Sequence, residues 1–172
     1  MSPLRVRLLG PVCALTGDVE LELGPPRQRA VLAVLALRAG QVVSRTDLIE
    51  AVWGQNAPAS ASSAVYLYIS NLRKTLGGNR DLLASTNSGY ALRISADQVD
   101  VTVFDELCAQ GTKLASSGHY RGAARALDEA LVLWRGEAFA GIPGPFADQE
   151  RIRLVESRMR AVEAFAAARL EL

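Results

Sequence analysis

The sequence predicts an α+β domain followed by an all-α domain, and three observations support that division. Apolar and charged residues alternate near the start of the chain, which is the pattern of short strands. Three segments with helical spacing follow, and a second strand-like pair closes the unit before residue 97. Beyond that point the apolar patterns have helical spacing. We therefore predict one domain over residues 1–96 and another over residues 97–172.

The composition predicts a folded protein with one basic and one acidic half. Of its 172 residues, 49% are hydrophobic, which is enough to build a core. The first 96 residues carry ten Lys and Arg against six Asp and Glu, whereas the rest carry nine against twelve. This asymmetry favours a polyanionic partner for the first half. Cys13 and Cys108 lie far apart and His119 is the single histidine, so we expect reduced thiols, no metal site and no cofactor.

Neither a leader peptide nor a membrane span is expected from the sequence. Arg5 and Arg7 interrupt the first apolar residues, which argues against a signal peptide. The longest apolar run covers the eight residues 30–37, too few to cross a bilayer. We therefore expect a cytoplasmic protein without a membrane partner.

Short strands begin the first domain. Apolar residues alternate with arginines over residues 4–8 and with glutamates over residues 19–23, so both segments predict strands with one exposed face. Residues 12–15 could add a third strand, with a turn at 16–18. The expected element is a small antiparallel sheet.

Two helices follow the sheet. Pro25-Pro26 suits a first helical turn, and residues 30–37 are apolar all round, which predicts a helix in the centre of the domain. Ser44 and Asp47 have the spacing of a capping box, which opens the second helix. Gly54 is predicted to end that helix.

A third helix and a β-hairpin complete the first domain. The helix is predicted over residues 61–76, before Gly77-Gly78. Residues 82–85 and 90–94, joined by a turn at 86–89, predict the hairpin. Three helices followed by a hairpin is the order of a winged helix-turn-helix domain.

The second domain is predicted to contain a linker over residues 97–102 and then helices. One helix is expected over residues 103–116, a second from Gly118 to about Trp134, and a third from Phe146 to the end. The small residues on the second helix would let two helices approach closely, as in a tetratricopeptide-like pair; they are Gly118, Ala123, Ala124 and Ala130.

An apolar stripe runs along the last predicted helix, and no capping glycine follows it. The stripe contains Ile152, Val155, Met159, Val162, Ala166 and Leu170. Stacked helices of this kind need further partners to bury their faces. We therefore expect the chain to be a truncated part of a longer helical unit.

The third helix carries the candidate nucleic-acid site. Its apolar residues fall on one stripe, and no acidic residue occurs between Asn56 and Arg80, so its other face could approach phosphates without repulsion. Ser, Asn and Arg side chains can bond base edges, and Leu67 or a tyrosine can contact a thymine methyl. The predicted DNA-facing residues are Ser63, Tyr66, Leu67, Ser70, Asn71, Arg73 and Lys74.

Two further groups could add phosphate contacts. Arg27 and Arg29 lie at the start of the first helix and Arg45 at the start of the second, where anions bind readily. Ordinary surface charge explains these arginines equally well. The turn of the hairpin, at Thr86, Asn87 and Ser88, could reach a phosphate or the minor groove.

Catalytic motifs are absent from the sequence. It contains no GxxxxGK[ST], GxGxxG, HExxH or GxSxG segment, so we do not expect an enzyme. Besides binding of duplex DNA by the third helix, two further possibilities stay open. One is a helical protein-interaction adaptor, and the other is a DNA-binding repressor whose helical domain senses a ligand.

Several motifs occur together along the chain. They are residues 24–35 (GPPRQRAVLAVL), 43–49, 51–54 (AVWG), 58–60, 68–77 (YISNLRKTLG), 89–92 (GYAL), 100–104 and 130–136. In this combination they resemble the Streptomyces antibiotic regulatory protein (SARP) family over nearly the whole chain. The resemblance implies an OmpR-type winged helix followed by about half of a bacterial transcriptional activator domain.

The resemblance also implies a function. Such a protein would bind promoter direct repeats as two copies side by side, recruit RNA polymerase including the sigma factor, and activate secondary-metabolite (antibiotic) biosynthesis. The polymerase-facing loop would contain Gly54, Gln55, Asn56, Ala57 and Pro58. Thr86 stands where the family often has Arg, and Ser70-Asn71 replaces a more basic pair. These departures imply weaker phosphate anchoring or a different sequence preference.

Overall fold

The computed structural model describes residues 3–78 and 80–172. Its strands are Leu4–Arg7 (β1), Cys13–Thr16 (β2), Val19–Glu20 (β3), Leu83–Thr86 (β4) and Gly89–Leu92 (β5). Its α-helices are Pro26–Leu37 (α1), Arg45–Trp53 (α2), Ala61–Thr75 (α3), Asp100–Ser116 (α4), Tyr120–Val132 (α5) and Pro145–Leu170 (α6). The predicted order of sheet, three helices, hairpin and further helices is confirmed.

The N-terminal sheet is antiparallel, in the order β1-β2-β3. Its register places Leu4 opposite Thr16 and Val6 opposite Ala14. Val6 is buried while Arg5 is exposed, as the alternation predicts. The strand expected over residues 19–23 forms only at Val19–Glu20.

Helix α1 lies in the centre of the winged-helix unit. Residues 30–36 are all buried, which confirms the prediction from their continuous apolar character. Helix α2 begins as the capping pattern predicts, since the Ser44 hydroxyl accepts a hydrogen bond from the Asp47 amide at 3.0 Å. Gly54 follows the end of α2 with a φ of 63°, a conformation that favours glycine.

The hairpin formed by β4 and β5 is attached to the segment before α2. Val43 and Tyr90 exchange two backbone hydrogen bonds, of 2.8 and 2.9 Å. At Gly89, a Cβ atom would lie 2.0 Å from the Val43 carbonyl oxygen, so this close approach requires glycine. The hairpin therefore has a fixed base beside helix α3.

The prediction of a linker over residues 97–102 is wrong. A short 3₁₀ turn at Ala96–Gln98 leads directly into α4, which begins at Asp100. The buried Asp100 carboxylate accepts hydrogen bonds from the amides of Leu8 at 2.7 Å and Leu9 at 3.0 Å. The side-chain amide Nε2 of Gln98 donates to the Leu4 carbonyl, so the helical region joins the N-terminal sheet without a spacer.

The segment after α5 strengthens this junction. The Arg135 and Phe139 amides donate to the carbonyls of Leu9 and Leu8, each at 2.8 Å. At Gly144, a Cβ atom would meet the carbonyl oxygens of Ala51 and Val52 at 2.6 Å. One continuous core therefore runs through both predicted units. The domain boundary at residue 96 stays a prediction from the sequence.

The helical region packs through small residues, as predicted. Ala123, Ala124 and Ala130 of α5 are buried, whereas Gly118 is exposed in the turn before α5. Helix α5 ends at Val132, two residues before the predicted limit. The apolar stripe predicted on the last helix lies on the exposed face of α6, while Leu154 and three alanines form its buried face. Within the described ranges, no helix combines the length and apolarity needed to cross a membrane.

Candidate nucleic-acid interface

The outward face of α3 is polar and free of acidic side chains. Val65, Ile69 and Leu72 are buried against the domain. On the opposite side Ser63, Leu67 and Lys74 are exposed and Ser70 is half-buried, at spacings of four, three and four. Leu67 keeps 55% of its surface exposed, so it is available for an apolar contact. The structure therefore brings together the four central residues of the predicted DNA face, Ser63, Leu67, Ser70 and Lys74.

A groove of about 400 Å³ lies between the start of α2, the side of α3 and the hairpin. It is lined by Arg45, Tyr66 and residues 85–90, which include the predicted turn residues Thr86, Asn87 and Ser88. The Arg45 guanidinium donates to the Ser62 hydroxyl at 3.4 Å and adds positive charge to the groove. Tyr66 is 67% exposed. This geometry joins the hairpin residues and Arg45 to the edge of the predicted DNA face.

Thr86 stabilises the hairpin turn. Its hydroxyl accepts hydrogen bonds from the amides of Ser88 at 3.3 Å and Gly89 at 3.1 Å. Asn87 is exposed at the tip. The Thr86 hydroxyl, at a position where Arg is common in the family that the sequence resembles, is thus hydrogen-bonded within its own turn. The side chains of Asn87 and Ser88 are exposed at this turn.

Arg73 links α3 to the hairpin. Its Nε donates to the Leu83 carbonyl at 2.8 Å, and its Nη2 donates to the Ser85 hydroxyl at 2.6 Å. A guanidinium has five N–H donors, and these two bonds use part of that set. Arg73 therefore fixes the position of the hairpin relative to the helix, a role that the sequence analysis missed. Lys74, its neighbour, is exposed.

The Asn71 side chain is hydrogen-bonded to a buried glutamine on α1, Gln28. The Asn71 Nδ2 donates to the Gln28 Oε1 at 3.2 Å, and the Gln28 Nε2 donates to the Leu23 carbonyl at 2.8 Å. Gln28 is only 3% exposed. Sequence reasoning did not single out Gln28, although a polar residue next to the all-apolar run of α1 was a possible signal. A buried polar side chain needs a partner.

The predicted phosphate contacts at the start of α1 have structural partners. The Arg27 guanidinium lies 5.7 Å from the centroid of the Trp53 ring, which stacks on Tyr68. The Arg29 Nε donates to the Gly24 carbonyl at 2.8 Å. Neither arginine lines the groove beside the hairpin. Their contact with DNA stays a prediction.

The loop predicted to face RNA polymerase forms a separate exposed surface. Gly54–Asn56 is a 3₁₀ turn, and Gln55, Asn56, Ala57 and Pro58 are exposed. A Cβ atom at Gly54 would lie 3.3 Å from Pro145 of α6, so the helical region supports this loop. Arg45 and Gly54 lie at opposite ends of α2, about 13 Å apart along its axis.

Two family models match the chain and define its class. The model for the C-terminal domain of transcriptional regulatory proteins matches residues 19–92, and the bacterial transcriptional activator domain matches residues 99–172. Together with the winged-helix order of elements, these matches define a transcriptional regulator with an attached activator domain.

Curated relatives support the resemblance of the chain to the Streptomyces antibiotic regulatory protein family. The chain is 41% identical over 160 residues to the regulatory protein AfsR of Streptomyces griseus, covering 93% of this chain and 16% of AfsR. It is 30% identical over 171 residues to the regulatory protein DnrI of Streptomyces peucetius, covering 94% of this chain and 63% of DnrI.

A solved structure shares the whole architecture. The structure of Mycobacterium tuberculosis EmbR in complex with a low-affinity phosphopeptide superposes with a TM-score of 0.92 at 33% identity. The match covers 99% of this chain and 46% of EmbR. The chain thus spans less than two thirds of the length of each of these three relatives.

Proposed function

We propose that the chain binds duplex DNA through α3 and the β4–β5 hairpin and activates transcription from the promoters it occupies. One observation carries the proposal: the acid-free outward face of α3 lies beside a groove that Arg45 and the hairpin turn complete. An acid-free polar face meets no charge repulsion from phosphates. The winged-helix domain that the family model matches supports the same surface.

The dimensions of α3 suit the major groove. Its fifteen residues extend over about 22 Å, and an α-helix fits the width of that groove. The hairpin, whose base is fixed to Val43, stands beside α3 and would contact the adjacent backbone or minor groove. We therefore assign base contacts to α3 and backbone contacts to the hairpin turn.

The side chains divide the work of recognition. Lys74 and Arg45 would bind phosphates, which gives affinity without sequence preference. Ser63 and Ser70 would bond base edges, and the exposed Leu67 and Tyr66 would contact thymine methyls. Arg73 would act through the hairpin, since two of its donors bind Leu83 and Ser85.

Assembly of two copies on DNA is proposed from the resemblance to the Streptomyces antibiotic regulatory protein family, and the modest charge of one copy is consistent with it. With a formal net charge of +1, a single chain attracts the polyanion weakly. Two copies side by side on direct repeats, spaced by about one helical turn of ~10–11 base pairs, would double the contacts. The protein would act in the cytoplasm, on the nucleoid.

Activation would use the exposed loop of residues 54–58. It lies at the end of α2 away from Arg45 and is supported by Pro145, so DNA-bound protein could present it to RNA polymerase, including the sigma factor. Control of secondary-metabolite genes is proposed because the chain is similar to the regulatory proteins AfsR and DnrI and resembles a family of antibiotic regulators. A promoter–reporter assay separates activation from repression, since a repressor would lower reporter output.

Selection of binding sites from a random duplex library tests the proposal, with affinities measured at two salt concentrations. We expect recovery of a repeated half-site and a steep loss of affinity as salt rises. Absence of binding at low salt would favour a protein-interaction adaptor instead. Binding that salt leaves unchanged would contradict the phosphate contacts.

A further inference from the structure

The buried Gln28 side chain holds the side-chain amide of Asn71 on α3 through a hydrogen bond of 3.2 Å. We propose that Gln28 is a positioning residue, which turns the carbonyl oxygen of Asn71 away from the protein so that Asn71 selects a base with an exocyclic amine. This inference rests on the proposed binding of DNA by α3. The inference specifies that one position of the DNA site must carry a base with an exocyclic amine.

The orientation of both amides follows from the carbonyl of Leu23. A carbonyl only accepts hydrogen bonds, so the Gln28 side chain must present its Nε2 there, at 2.8 Å. The Gln28 Oε1 is thereby turned towards α3. It needs a donor, and the Asn71 Nδ2 supplies one at 3.2 Å. Because an amide is planar, the Asn71 Oδ1 then faces away from Gln28.

The surroundings of Gln28 keep this chain of hydrogen bonds in place. Gln28 is 3% exposed, so water has little access to it. Gly24 leaves the space that the side chain occupies, since a Cβ atom there would lie 2.6 Å from the Gln28 Nε2. A reversed Asn71 amide would bring its Oδ1 against the Gln28 Oε1, leaving two buried or half-buried acceptors facing each other.

The fixed amide restricts which bases Asn71 can read. In the major groove, adenine and cytosine present an amine donor, whereas guanine and thymine present acceptors. The outward Oδ1 can accept from adenine N6 or cytosine N4. Guanine or thymine could be bound only through the second Nδ2 hydrogen, which would leave the outward Oδ1 without a donor. We expect a preference for adenine or cytosine of about 5- to 150-fold at one position.

Base analogues test the inference on the wild-type protein. The selected DNA site is first compared between wild type and Asn71→Ala, and the position where the variant loses its preference is identified. The base there is then replaced by its analogue without the exocyclic amine, purine for adenine or 2-pyrimidinone for cytosine. Wild type should bind the analogue at least about fivefold more weakly. Asn71→Ala should bind both sites equally.

The variant Gln28→Met tests the positioning role. Methionine has a similar size and removes both hydrogen bonds, so the Asn71 amide can reverse. The preference at that position should fall to within about threefold, while the salt dependence of binding is unchanged. Thr75→Val is the matched control, because the Thr75 hydroxyl joins α3 to the Glu22 carbonyl at 3.2 Å and should leave the preference intact.

Four results would overturn the inference. They are a guanine or thymine preference at the Asn71 position, an analogue bound as tightly as the natural base, a retained preference in Gln28→Met, and a further change when Gln28→Met is added to Asn71→Ala. If Gln28→Met fails to fold, the analogue measurement on wild type still decides whether Asn71 accepts a hydrogen bond from an exocyclic amine. Failure of wild type to bind any DNA would instead refute the proposed function.

Discussion

Two charged side chains, Asp100 and Arg73, each join separate elements through a pair of hydrogen bonds, and the difference in their burial gives them different roles. The Asp100 carboxylate, with 9% of its side chain exposed, accepts hydrogen bonds from the Leu8 and Leu9 amides and joins α4 to the segment that follows β1. The half-buried Arg73 joins α3 to β4 through Leu83 and Ser85. We call Asp100 the buried clamp and Arg73 the surface clamp. The buried clamp mainly stabilises the fold, whereas the surface clamp mainly sets the geometry of the protein face beside it.

The largest effect should come from the buried clamp. Asp100→Ala leaves the Leu8 and Leu9 amides without their acceptor, which should lower the free energy of unfolding by about 3 kcal/mol. Urea denaturation followed by circular dichroism measures this change. Asp97→Ala, in the exposed 3₁₀ turn just before α4, is the control and should alter stability little. Equal stability of the two variants would show that the clamp is dispensable.

The surface clamp should affect DNA binding more than stability. In Arg73→Ala the hairpin loses two hydrogen bonds to α3, so affinity should fall about tenfold for every sequence. The slope of log affinity against log salt should stay unchanged, because Arg73 acts through the hairpin. Lys74→Ala should instead reduce that slope by about 0.9, the value for one lost phosphate contact. A reduced slope in Arg73→Ala would assign that arginine to a phosphate.

A smaller effect should come from the exposed Leu67 between the polar residues of α3. Replacing a contacted thymine by deoxyuridine removes only the methyl group, and should weaken wild-type binding about fourfold, since burying one such group contributes roughly 0.8 kcal/mol. Leu67→Ala should bind both DNA molecules equally. Anisotropy titrations at one salt concentration provide the measurement, and a uridine replacement outside the half-sites is the control. Equal loss in Leu67→Ala would assign the methyl contact elsewhere.

The smallest effect should be the pH dependence of the buried clamp. Burial raises the pKa of Asp100 above its ordinary 3.8, although the Leu8 and Leu9 amides and Arg135 act in the opposite direction. A raised pKa in the folded state means that the folded protein binds more protons than the unfolded chain. The contribution of Asp100 to stability is therefore complete below pH 3.8 and is lost as pH rises through the folded pKa.

The pH dependence is measured as the stability of wild type minus that of Asp100→Asn. Asparagine does not titrate, so other groups cancel in the difference. We expect the difference to decline between pH 3.8 and the raised pKa of Asp100. A difference that grows with pH in this window would mean that the two amides outweigh burial.

Local patterns in the sequence were enough to predict the order of elements and the inward face of each helix in the winged-helix unit. Alternation over residues 4–8, the apolar run in α1 and the Ser44 cap are local patterns, and local sterics and hydrogen bonding translate them directly into structure. The acid-free stretch around α3 also marked the face that we assign to DNA. These features depend on residues within one or two helical turns of each other.

Contacts between side chains that are distant along the chain could not be predicted in the same way. Asp100 lies 92 residues from Leu8, and Asn71 lies 43 residues from Gln28, so no periodicity connects either pair. The prediction of a linker was wrong because Asp100, at the start of α4, accepts hydrogen bonds from backbone amides of the segment directly after β1. Arg73 could not be placed on the hairpin from sequence, since its direction depends on where β4 packs. Hydrogen bonds between residues so far apart in the sequence depend on how the elements pack, and no local sequence pattern predicts them.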